Sequence, residues 1–328
     1  MFHAFRCESG GGDIASAARL ARQRGQGGKS LSRRDFDDWF QVTADRGMLL
    51  PPGLRYMVAG AFFFSLMSLL VKLAGQNLPS QQIVLARSLV MAVLAWVTLR
   101  RRRIRVLGQR RPLLLLRGVL GFGALSCFYY ALVHLPLADA TVLQYTNPAF
   151  AAVLAIFALG ERMRRREVLS VALSLTGVLL VARPAFLFGT ASVLDPVAVA
   201  IGLLGAVLSA AAYVVVRMLG SEHYMVVIFY FAMVSIIGST PAAALQWVPP
   251  TPADLMLLLG VGVMTHAGQI YMTRGLHLER AGRATAAGLV QIVFAATWGL
   301  LVFGDAPDIR GAAGAALVIA GVLLLGRS

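Results

Sequence analysis

When the sequence is slid against itself by 144 residues, TVLQYTNPAFAAVLAIFALGE from Thr141 falls on TAAGLVQIVFAATWGLLVFGD from Thr285. The register then holds without a gap: Arg166 meets Arg310, and GVLLVAR from Gly177 meets GVLLLGR from Gly321. About a dozen identities in some forty positions exceed what two apolar segments share by composition alone. With one further residue of shift, Gly60, Lys72 and Gly75 meet Gly205, Arg217 and Gly220. Any fold for this chain has to accommodate two copies of one unit.

Each copy is built to sit in lipid. Of 328 residues, 58% are hydrophobic and 14% charged, and mean hydropathy is +0.73, far from a soluble domain. Apolar runs bounded by charge, proline or polar clusters fall at 54–74, 82–99, 113–133, 139–159, 167–182, 197–217, 224–245, 253–273, 284–303 and 310–326. A helix of about 20 residues crosses the hydrocarbon core. The fifth and tenth runs are short for a span, though rich in residues that allow close packing. Five runs per copy is an odd number, so the second copy must enter from the opposite face, which is a transporter architecture. The expected fold is all-α integral membrane, with ten transmembrane helices as two inverted five-helix repeats. Its parts are a cytosolic tail (1–50), repeat 1 (51–183) and repeat 2 (184–328).

Charge supplies an independent test of orientation. The loops 100–111, 160–166 and 274–283 hold seven, four and three arginines, whereas 75–81, 134–138 and 246–252 hold none. With both termini cytosolic, every arginine-rich loop faces inward. Arg183 and Arg310 are the two exceptions. The net charge of +15 is thus explained by orientation, and no nucleic-acid partner is expected. Cys7 and Cys127 do not suggest a disulfide. The tail lacks the apolar core of a signal peptide and reads as disordered; Met48, directly before LLPPGLRYMVAG, is an alternative start. QRGQGGKS in the tail ends like a phosphate-binding loop, but Gln23 stands where the first glycine belongs and no strand precedes it.

FYYALVHLPLADATVLQYTNPAFAAVLAIFALGER, the Gly-acid pair followed by GVLL, and the weaker echo of both in the second half resemble a bacterial drug/metabolite transporter of the EamA type. Two EamA domains would cover roughly 54–182 and 197–326. The resemblance implies a metabolite transporter, more often an exporter, and an arginine near Arg87 is frequent in the family. The second half departs from the pattern: Asp305 replaces the usual Glu, and Ile292 stands opposite Pro148.

A transporter needs polar groups near the midplane. Gln144, Tyr145, Thr146 and Asn147 precede Pro148, whose missing N–H frees the carbonyl four residues back. Across the repeat Asn147 maps to Gln291, and two amides at related positions suggest a central site; bonding between helices is the alternative. His266 and Gln269 share a helix face, and Trp298 also lies deep. Tyr129, Tyr130 and His134 form an outer aromatic patch, with interfacial anchoring as the competing role for all three. Tyr213, opposite Ser68, is a weaker candidate. Arg87 is the outlier among charges: snorkelling to the outer interface is one reading, and pairing with Asp139, which would make an outer gate or a carboxylate clamp, is the other. Glu161 and Asp305 close the fourth and ninth spans, where capping of the next helix competes with gating or coupling.

The candidate substrate-binding set is therefore Gln144, Tyr145, Asn147, Pro148, His266, Gln269, Gln291, Trp298 and Tyr130. The gating or coupling set is Arg87, His134, Asp139, Glu161 and Asp305. No catalytic residue, metal or cofactor is expected; the partners are a small-molecule solute and the bilayer, with a homodimer left open. An amide and aromatic cavity without a central acid favours neutral or zwitterionic solutes. The alternatives are an uptake permease of the same fold or a membrane enzyme using His134, Asp139 and Arg87, a cluster that lacks a nucleophile.

Overall fold

The computed structural model describes residues 50–135, 137–161, 164–182, 195–303 and 309–326, with the side chains of 132, 133, 137–139, 182, 303 and 326 outside that description. Asp305, Arg183 and the tail with its phosphate-loop lookalike and Met48 lie outside the described residues; Asp139 does so by its side chain.

The described residues fold into helices: α1 (Pro52–Ala74), α2 (Ser80–Arg101), α3 (Arg111–His134), α4 (Leu137–Gln144), α5 (Asn147–Leu159), α6 (Arg165–Ala182), α7 (Pro196–Met218), α8 (Tyr224–Leu245), α9 (Pro252–Leu278), α10 (Ala281–Gly288), α11 (Gln291–Trp298), a π-helical turn (Gly299–Phe303) and α12 (Ile309–Gly326). Proline stands in the first turn of α1, α3, α5, α7 and α9, where its missing N–H costs no hydrogen bond. Thr251 and Asp254 close a reciprocal capping box on α9. Eight segments are long and apolar enough to cross a membrane, counting α4–α5 and α10 through the π-turn as one each. The other two are α6, which carries Arg165, Arg166 and Glu167 in its 18 residues, and α12, whose apolar part is the shorter Ile309–Leu325.

The side chains are distributed inside out relative to a soluble protein. Phe157 is 83%, Met256 78% and Ile237 69% exposed, while Gln82, Glu167 and Asp254 are at most 2% exposed. An outer surface this apolar is stable only against lipid, and Gln82, Glu167 and Asp254 are each hydrogen-bonded, which offsets the cost of burying them. Gln82, for example, grips the backbone of Val248 through both ends of its amide.

Helix boundaries carry the 144-residue offset: α1 and α7, α2 and α8, α4 and α10, and α6 and α12 start and stop 144 residues apart. The packing follows suit, with α1 on α9, α7 on α3, α2 on α8 and α6 on α12. Gly60 of α1 abuts the Gly268 carbonyl and the Met272 amide of α9; Gly205 of α7 abuts the Ala124 carbonyl and the Phe128 amide of α3. Those are the same crossing made twice.

One loop contact titrates. His223 precedes α8, and its Nδ1 accepts a hydrogen bond from the Met225 amide, which requires the neutral ring. Burial, with Arg102 and Arg274 nearby, lowers its pKa below the ordinary value of 6.5. The unfolded chain then binds the proton more readily, so this contribution is present above pH 6.5 and is lost as pH falls through the lower folded pKa. Melting temperature measured between pH 7.5 and 4.5 should fall on the acid side, and His223→Asn should flatten that part of the profile.

Candidate functional site

Both arms of the repeat break at the same place. In the first, α4 ends at Gln144 and α5 starts at Asn147; in the second, α10 ends at Gly288 and α11 starts at Gln291. Pro148 explains the first break, because the Gln144 carbonyl has no amide four residues on to accept from. The second arm has no proline, so bending is not confined to the first. There the chain tightens into short-range bonds, Leu289 to the Ala286 carbonyl and Val290 to the Ala287 carbonyl, a 3₁₀-like step that interrupts the helix.

Between the breaks lies a cavity of about 60 Å³, room for about two waters. Tyr145 and Asn147 face it from the first arm, Thr285 and Gln291 from the second, and Tyr213 from α7, while α1 closes it from Met57 to Phe64. The amides of Asn147 and Gln291 make no side-chain hydrogen bond with a described residue and so offer free donors and acceptors to whatever fills the space. Thr285 is less available, because its hydroxyl already donates to the Ala281 carbonyl at 2.8 Å.

The other sequence candidates divide. Pro148 is buried at the start of α5. Gln144 donates to Ser209 Oγ at 3.3 Å, and Trp298 Nε1 donates to Ser65 Oγ at 2.9 Å, so both tie neighbouring helices without lining the cavity. His266 is 8% exposed, with Nδ1 unpartnered among the described residues. Tyr130 and His134 stack on each other at 4.0 Å on the exposed end of α3, away from the cavity. Arg87 is 5% exposed, and Nη1 meets Met67 Sδ at 3.8 Å. Its pairing with Asp139 falls outside the described side chains.

Glu161 does meet a helix N-terminus, though not that of the next helix. Its Oε2 accepts from the Ala281 amide at 3.0 Å, and its Oε1 from Arg217 Nε at 3.2 Å. The following helix is served by Glu167, whose Oε2 accepts from the Arg164 amide at 2.9 Å while Oε1 pairs with Arg280. These carboxylates of the first half, joined to cations and an amide of the second, form a latch across one end of the bundle. Ala152, Ala155 and Gly282 close over it, leaving a void of about 10 Å³.

Two groups have no place among the sequence candidates. Glu167 sits in the arginine-rich stretch RMRRRE, where it reads as part of a solvated loop. Arg117 stands mid-run in LLLLRGVLGFG; it is 3% exposed, and its guanidinium lies 4.4 Å over the Phe231 ring. An arginine flanked by four leucines was the available signal.

A model of the EamA-like transporter family matches residues 51–183 and again 197–327. The chain belongs to this family. Among EamA-family relatives, the pseudopaline exporter CntI of Pseudomonas aeruginosa is 35% identical over 285 residues, covering 85% of this chain and 98% of its own. Human solute carrier family 35 member G1 is 31% identical over 283 residues, 82% of this chain and 77% of that one. The S-adenosylmethionine uptake transporter of Rickettsia bellii is 24% identical over 216 residues, 64% of this chain and 71% of its own. A solved crystal structure shares the fold at TM-score 0.72 and 18% identity, covering 83% of this chain and 95% of that one. An EamA-family chain of this composition is a multi-pass membrane protein, and its function is to transport small metabolites.

Proposed function

We propose that this chain is a secondary transporter of the bacterial inner membrane that moves a small organic metabolite, amino acid or drug by alternating access, without catalysing a reaction. The carrying observation is the convergence of Asn147 and Gln291, 144 residues apart in sequence, on one cavity between two helix breaks. Ten spans as two inverted repeats, with domains at 51–183 and 184–328 and both termini cytosolic, are supported by the constant helix offset, the paired glycine crossings and the arginine loops. On that topology the Glu161–Arg217 and Glu167–Arg280 contacts are the cytosolic gate. Export is favoured because the exporter relative is both more similar and more fully covered than the uptake transporter.

A cavity of about 60 Å³ is far below the roughly 300 Å³ at which ligand pockets begin. Solute entry therefore demands that helices move, and the broken arms, with hydrogen bonds already interrupted, are where motion costs least. The test is flux in proteoliposomes loaded with a panel of labelled metabolites, with and without a pH gradient. At least one solute should move, and Asn147→Ala combined with Gln291→Ala should slow it. Equal flux with and without protein across the panel would exclude the reading.

A further inference from the structure

Arg117 carries a buried charge that no described carboxylate compensates; its guanidinium has only the face of Phe231 and one amide beside it. Arginine has five N–H donors and stays ionised. Here one bond is made, from Nη2 to Gln269 Oε1 at 3.5 Å, and Nε has no partner. No described acid pairs with it: Glu161, Glu167 and Glu279 are held by Arg217, Arg280 and Arg283. Arg87, the other buried arginine, has Asp139 as its expected counterpart; Arg117 has no such candidate.

Nor does the side chain escape to the interface. Arg117 stands six residues into α3, about 9 Å from its start, within reach of headgroups had it snorkelled outward. Instead it points to Gln269, nine residues from the end of α9 and so about 14 Å deep. That depth is the level of the cavity. Gly268, the neighbour of Gln269, abuts Phe64 and Gly60 of the cavity wall, and Met272, one turn on, lines the cavity itself. Tyr213, another wall residue, is within electrostatic reach of the guanidinium.

We infer that Arg117 is the anchor for a carboxylate group of the transported solute, held ready behind Gln269 and Tyr213 and reached when the cavity widens. The inference rests on the transport reading and narrows its solute class to molecules bearing a carboxylate. A planar guanidinium fork matches a carboxylate edge to edge, whereas one cation with no second basic group beside it suits a phosphate dianion poorly.

The test is thermal unfolding of the purified full-length protein in detergent, at constant pH and ionic strength. The ligands are acetate, lactate and succinate against acetamide, lactamide and succinamide, with inorganic phosphate as a further arm. At least one carboxylate should raise the melting midpoint saturably, by about 5 °C, while its amide does not. Arg117→Gln should abolish the rise, and Arg117→Lys, which keeps the charge without the fork, should retain less than half of it. Ligand-free Arg117→Gln should melt above the wild type, because a lone buried charge has been removed. If Arg117→Gln is not recovered folded, Arg117→Lys decides. No rise with any carboxylate, an equal rise with the amides or in both variants, or a larger rise with phosphate overturns the assignment. Flux is not part of this readout, so absence of transport would count against the transport reading alone, and absence of binding with flux intact against this inference alone.

Discussion

Gly177→Leu is expected to lower the melting midpoint by roughly 8 °C and to cut the yield of monodisperse protein. A Cβ at Gly177 would lie 2.6 Å from the Gly314 carbonyl oxygen, and one at Gly314 would lie 2.7 Å from the Gly177 carbonyl oxygen. Both obstacles are backbone, so neither can rotate aside, and overpacking that cannot relax costs about 3 kcal/mol. Two turns away the helices are tied again, because Ser170 Oγ donates to the Gly321 carbonyl at 2.6 Å. Gly177 and Gly321 are 144 residues apart, as are Ser170 and Gly314, so one close approach is built twice across α6 and α12. Gly160 offers a contrast. Nothing lies within 4 Å of a Cβ there, and only its φ of +65° resists substitution, so Gly160→Ala should cost about 1 kcal/mol. Thermal melting and size-exclusion profiles of the three proteins would check the order; equal stability of Gly177→Leu and wild type would mean that α6 and α12 are not in contact as described.

Glu161→Ala should unlatch the end of the bundle. The carboxylate accepts from Arg217 and from the Ala281 amide, and bonds to a charged acceptor contribute about 1.5 to 3 kcal/mol each. Losing about 3 kcal/mol from the closed arrangement shifts a two-state ratio about 100-fold. Ala155, 1% exposed and packed with Val214 and Ala281, lines the void beneath the latch and reports that shift. In a protein whose Cys7 and Cys127 are serine, a cysteine introduced by Ala155→Cys should react with an impermeant maleimide about 100-fold faster once Glu161 is alanine. Glu161→Gln keeps the size and loses the charge, so its effect should be smaller. Unchanged labelling in both would show that these contacts do not hold the end shut.

Much of this was legible in the sequence for identifiable reasons. Hydrophobic runs bounded by proline and arginine set the helix ends, because lipid forces every backbone group into helical bonds. The convergence of Asn147 and Gln291 followed from duplication alone. Duplication could not reveal the second break, since Leu289 and Val290 carry no helix-breaking side chain and the interruption shows only in the bonding of Ala286 and Ala287. Contacts between distant segments were hidden too. Glu161 meets Ala281 across 120 residues, and Arg117 meets Gln269 across 152; both depend on how spans of different halves cross. Tyr130 and His134 were readable as a one-turn pair but not as rings stacked on each other.

The central claim, that solute passes through the space between Asn147 and Gln291, is tested most directly by flux in proteoliposomes containing equal amounts of folded wild type and of the Asn147→Ala, Gln291→Ala double variant. Each amide is worth roughly 1 to 1.5 kcal/mol when it bonds a solute, so the double variant should carry the wild-type solute about 30 to 100-fold more slowly, with little change in melting temperature. Flux in the double variant equal to wild type would place the pathway elsewhere in the bundle.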